Sequence, residues 1–141
     1  MSTVAVDYNE VAYRMTEEAA IVVFRKKDNS VRVMLCTGSL RVLDNVLENP
    51  GYVQMQLSGR NGRNKAGSHN VCAIDLIIEE VRQFSTDRVI TINWLGKLHS
   101  KEELEAAAVL TKQLQDEWKG FDELTEVQQM MFIQSTLERG R

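Results

Sequence analysis

The chain has a single proline, Pro50, two cysteines and two histidines, and no apolar run approaching the roughly 20 residues that a membrane-spanning helix needs. Each scarcity excludes something. With one proline and no Ser/Gly/Pro-rich linker, nothing divides the 141 residues, so one domain is expected over residues 1–141. His69 and His99 stand at no metal-ligand spacing with a cysteine or carboxylate, so no metal site is expected. Cys36 and Cys72 each lie in an apolar stretch, as buried free thiols do, and their context reads as reducing. Neither a Walker A loop nor a nucleophile elbow is present. No catalytic residue and no cofactor is therefore expected, and the chain reads as a binding protein rather than an enzyme. Asp75, Glu79 and Glu80 leave a carboxylate cluster for metal-dependent hydrolysis as the enzymatic alternative to a plain charged turn. Residues 1–7 lack the basic start and apolar stretch of a signal peptide, so a cytoplasmic protein without membrane contact is expected.

The net charge of −3 does not advertise a polyanion ligand, but its distribution is uneven. Residues 20–69 carry eight Lys/Arg against three Asp/Glu, whereas residues 99–141 carry five against nine. Such asymmetry suits a polyanion site in the first half, or two surfaces that attract each other in an oligomer.

Hydropathy patterning places strands first and helices last. Residues 8–18 are polar enough for a short helix. Residues 19–25, AAIVVFR, read as a buried strand, and residues 31–36 return as its hairpin partner through the Lys27-Asp28-Asn29-Ser30 turn. Leu40, Leu43 and Leu47 are spaced for a short helix over 39–48. Residues 52–57 alternate Tyr/Gln/Gln with Val/Met/Leu, which predicts a strand, and residues 58–68 predict a loop. Strands are expected again over 70–78, 81–84 and 88–94. Ser100 and Glu103 then form a capping box that opens a helix with Leu104, Ala107, Leu110 and Leu114 on one face, stopped by Gly120. A second helix is expected over 122–138. The expected class is α+β, with a small antiparallel barrel over 19–96 and a C-terminal helical hairpin over 100–138.

Residues 24–37, FRKKDNSVRVMLCT, resemble the opening hairpin of a family of small tailed-phage and bacterial proteins described as WYL-like, with an Sm-like SH3 β-barrel fold. The similarity continues through Asp75-Leu76, Arg82 with Phe84, and Asp87-Arg88-Val89, although Val81 stands where the pattern has tryptophan. The resemblance implies a phage or prophage origin and a β-barrel, and with such an origin the expected location is the host-cell cytoplasm.

The candidate ligand contacts follow from charge and backbone freedom. In the segment from Gly59 to Gly67, Arg60, Arg63 and Lys65 could hold phosphates, and Asn61 and Asn64 could read a base or ribose edge. Arg25, Lys27 and Arg32 flank the hairpin turn and could form a second basic edge, or simply keep a strand edge soluble. Tyr52, Phe84 and Trp94 are the aromatic candidates for base stacking, the latter two also reading as core. The expected function is a phage accessory protein that binds nucleotide or nucleic acid, sequestering a host defence signal or modulating host RNA. The alternative is an inhibitor or adaptor that engages a host protein through its C-terminal helices. Met130-Met131-Phe132-Ile133 is apolar around the helix, so a homo-oligomer through residues 100–138 is also expected.

Overall fold

The computed structural model describes residues 6–61 and 69–139, with the side chains of 59–61 and 139 left aside. In order come α1 (Tyr8–Met15), β1 (Ala19–Arg25), β2 (Val31–Thr37), α2 (Leu40–Val46), α3 (Gly51–Asn61), β3 (Asn70–Asp75), β4 (Glu80–Ser85), β5 (Val89–Gly96), α4 (Lys101–Glu117) and α5 (Glu126–Arg139). The fold is α+β, as expected. Its five strands form one sheet in the order β4-β3-β2-β1-β5, and every pairing is antiparallel. That makes an open sheet with β4 and β5 at its ends; closure into a barrel is not shown. Yet β4 leads into β5 through only a single 3-10 turn, Thr86–Arg88.

The central strand, β1, is buried along six of its seven residues, because α1 packs on one face of the sheet and the other helices on the opposite face. On one face Ala20, Val22 and Phe24 join Met34, Cys36, Val71, Ala73 and Phe84, and α1 packs on them with Val11 and Met15. Gly38 N–H fixes the end of α1 by donating to Met15 C=O at 2.8 Å; a Cβ at Gly38 would stand 3.0 Å from that oxygen. On the other face Ile21, Val23, Leu35, Ile74 and Ile90 are covered by α2, α3, Ala107 of α4 and Ile133 of α5.

Residues 52–57 form a helix, not the expected strand, and α3 extends to Asn61, so the segment expected as a loop begins helical. Alternation would place Val53, Met55 and Leu57 on one face. Instead Val53 and Leu57, four apart, are buried against the sheet, while Met55 is 70% exposed. Period four, not period two, carries the burial. The C-terminal helices also shift from expectation. The inward face of α4 uses Ala107 and Thr111, and Leu110 turns outward at 41% exposure. The second helix starts at Glu126, not at 122, because residues Phe121–Glu123 make a 3-10 turn first.

Candidate functional site

The hairpin turn brings its basic residues together, but commits two of the three internally. Arg25 donates to Asn29 C=O and to Gln129 Oε1 on α5, each at 3.3 Å, and its guanidinium lies 5.4 Å from the centre of the Phe121 ring. Arg32 pairs with Asp75 at 2.8 Å. Lys27 is exposed and enters no ion pair among the described residues. Sequence reasoning missed Arg88. It reaches back from beside β5 to Arg25 C=O at 3.2 Å, Lys26 C=O at 2.8 Å and the Asn29 side chain, and so holds the turn from outside. Nothing in local sequence signals a clamp whose partners lie 59 to 63 positions away.

Of the loop candidates, Arg60 and Asn61 end helix α3, and Arg63, Asn64 and Lys65 lie outside the described residues. Among the aromatics, Tyr52 is 67% exposed and accepts from Gln56 Nε2 at 2.7 Å. Phe84 is core, 5.6 Å from Phe24. Trp94 is half-buried beneath the Arg14 guanidinium, 4.3 Å from its centroid. Asp75 spends one oxygen on Arg32 and the other on the amides of Ile77 and Ile78 at 2.9 and 3.2 Å, which fixes the β3–β4 turn. Glu80 pairs with Arg82 at 2.8 Å. Asp75 is thus spent on the turn and Glu80 on an exposed ion pair. Cys36 and Cys72 are buried free thiols; burial, aided by the Asp75 charge, pushes the Cys36 thiol far up and keeps it protonated.

The C-terminal segment builds a different kind of surface. Ser100 Oγ accepts from Glu103 N–H at 3.2 Å, and Glu103 reaches back to His99 N–H at 2.7 Å, so the expected capping box is displaced by one residue at its return bond. After α4, Gly120 takes φ of 81°, which lets the chain reverse. Trp118, Phe121 and Phe132 then interlock with centroids 4.7 to 5.6 Å apart and anchor α5 on the end of α4. Thr125 and Gln128 form a reciprocal capping box at 3.2 and 3.0 Å; the T-x-x-Q pattern was there to be read. With Phe132 and Ile133 turned inward, Val127, Met130 and Met131 are left 65%, 40% and 66% exposed. Val109 and Leu110 on α4 are also exposed, at 60% and 41%.

A cavity of about 260 Å³ lies where α1, the start of α2 and the end of β5 meet. Arg41, Lys97 and His99 line it together with Glu17, Thr16 and Asn45. Neither Arg41 nor Lys97 enters an ion pair among the described residues. No known family, curated protein or solved structure matches this chain. Among the described residues, no helix is long and apolar enough to cross a membrane.

Proposed function

We propose that this is a non-enzymatic binding protein whose ligand is another polypeptide, engaged through the C-terminal helices. The observation that carries this reading is the large apolar side chains left on α5: Val127, Met130 and Met131 stay exposed although α5 already buries Ile133. Exposed apolar area of that kind marks an interaction surface. The surrounding tail is acidic, so the partner surface is apolar with a basic rim. The test is capture from an extract of the native host cell by wild-type protein, Val127→Lys/Met131→Lys and Arg41→Glu/Lys97→Glu. A partner lost only with the α5 variant supports the reading. A partner captured equally by all three removes it. Sedimentation of the same proteins separates a foreign partner from self-association: an oligomer that dissociates in the α5 variant makes the homo-oligomer the occupant of this face.

A second reading, a nucleotide or nucleic-acid ligand, is favoured by the cavity beside Arg41, Lys97 and His99. It predicts salt-sensitive binding that the Arg41→Glu/Lys97→Glu variant abolishes and the α5 variant spares.

The fold proposal completes this reading. Neighbouring strands lie about 4.8 Å apart, so the ends of a flat five-stranded sheet are about 19 Å apart. The chain from Ser85 to Val89 spans at most about 15 Å, yet it joins the two end strands. That mismatch supports a sheet curled toward a small Sm/SH3-like barrel, with the cluster around Val22, Met34 and Phe84 on its concave side. The WYL-like assignment and a phage origin belong to the same proposal, carried by residues 24–37.

A further inference from the structure

β2 is longer than the strand beside it. β3 pairs with it only at Thr37 and Cys36. One more bond follows, from Leu76 N–H to Leu35 C=O at 2.9 Å, before the chain turns away into β4. Alternate residues of a strand point their N–H and C=O groups to the same side. Because Leu35 C=O faces β3, Val33 and Val31 face the same way, onto an open groove. Side chains occupy two of their four backbone groups. Val31 N–H donates to Asp122 Oδ1 at 3.1 Å, and Val33 C=O accepts from Gln115 Nε2 at 3.4 Å. Val33 N–H and Val31 C=O have no protein partner among the described residues. Gln115 and Asp122 thus stand where the backbone of a neighbouring strand would run.

The groove, about 420 Å³, has Ile77 and Ile78 at one end and Trp118, Lys119 and Gly120 along the end of α4. Both isoleucines are exposed, at 52% and 43%. Asp122 also lines a second cavity of about 630 Å³, so the two meet at its carboxylate. This second cavity passes Asp28, Glu126 and Met130 beneath α5. Its lining includes three carboxylates and one cation, Arg25, whose guanidinium is already held by Asn29, Gln129 and the Phe121 ring. The path therefore runs from an apolar end, along a half-paired strand edge, to an anionic end.

We propose that this path binds an extended segment of a partner protein, added along Val31–Val33 as a further strand. An apolar side chain of the segment rests on Ile77 and Ile78, and a lysine or arginine reaches Asp122 and Glu126. Unpaired backbone groups select an extended chain, and the carboxylates select its basic end. Three residues, about 10 Å, lie against the open edge. The proposal rests on the polypeptide reading above and adds a second contact beside the α5 face, with the chemistry of the segment that fills it.

The test selects peptides from a random twelve-residue library on the folded full chain. The enriched peptides are then synthesised, each also with alternate amides N-methylated. Hydrogen exchange at the Val33 amide and affinity for wild type, Asp122→Asn/Glu126→Gln and Val127→Lys/Met131→Lys are measured. Asn at 122 still accepts from Val31 N–H, so the first variant removes charge and leaves the edge capped. The expected result is peptides with alternating apolar residues and a Lys/Arg end, which slow Val33 exchange about tenfold or more. Removing the two charges should weaken them about five- to tenfold, and N-methylation should abolish binding. Enriched peptides that leave Val33 exchange unchanged and are lost in the Val127→Lys/Met131→Lys variant overturn the groove but keep the polypeptide reading. No enrichment overturns the groove, and the capture experiment above then decides the polypeptide reading by itself. A Val33 amide that is protected without peptide, and exposed on dilution of a dimer, overturns it in favour of a second copy of the chain.

Discussion

Arg32 on β2 and Asp75 at the end of β3 meet at 2.8 Å, with the carboxylate 7% exposed and the guanidinium 31%. The pair is asymmetric. Asp75 also holds the amides of Ile77 and Ile78, so removing it strands three donors, whereas removing Arg32 leaves Asp75 its two turn bonds. Asp75→Ala should therefore cost about 2–4 kcal/mol, because it leaves three donors without their acceptor. Arg32→Ala should cost about 1–2 kcal/mol. Urea unfolding of both variants checks the order; an equal or reversed cost would mean that the turn does not depend on Asp75.

Leu57 and Met55 discriminate helix from strand in the segment over 52–57. Leu57→Ala should cost about 2–5 kcal/mol, as for a fully buried leucine. Met55→Lys should stay within about 0.5 kcal/mol, as at an exposed position. A strand with Val53, Met55 and Leu57 on one face would make the two comparably damaging. Thermal unfolding decides it.

The same segment shows why part of the fold was hidden in the sequence. Six residues hold fewer than two helical turns, so Val53, Met55 and Leu57 match period two as well as Val53 and Leu57 match period four. Only the sheet face beneath them chooses. The β1–β2 hairpin was legible because its β-branched run and its Asp28-Asn29 turn agree locally; Asn29 does take the positive φ that such a turn needs, 71°. The ligand candidates were legible as charge but not as availability. The partners of Arg32 and Arg25 lie 43 and 104 positions away, beyond any local pattern.

Glu79 and Gly120 test one physical term with opposite signs. Both take positive φ, 56° and 81°, where a side chain crowds the backbone. Glu79→Gly should stabilise by about 1 kcal/mol, net of the flexibility it adds to the unfolded chain. Gly120→Ala should destabilise by about 1 kcal/mol from backbone strain alone, since nothing lies within 4 Å of a Cβ built there. Shifts in urea midpoint at unchanged slope would show that only stability moved.

Asp28 carries the pH dependence of the hairpin turn. Its carboxylate accepts from Ser30 Oγ at 2.6 Å and from Ser30 N–H at 2.9 Å. Those bonds, the hydroxyl first, hold its pKa below the usual carboxylate value. The folded pKa is depressed, so the turn's contribution is fully present above the unfolded value of about 3.9 and is lost as pH falls through the folded one. The pair between Glu48 and Lys101, 2.9 Å apart, follows the same sign at its carboxylate, with the hydrogen bond from Lys101 the larger cause. NMR titration of the Asp28 side-chain carbon should give a midpoint below that of an unstructured aspartate. Ser30→Ala removes the hydroxyl and keeps the amide, so the midpoint should rise part of the way back. A midpoint unmoved by that substitution would place the cause elsewhere in the turn, with Lys26 the remaining charge beside it.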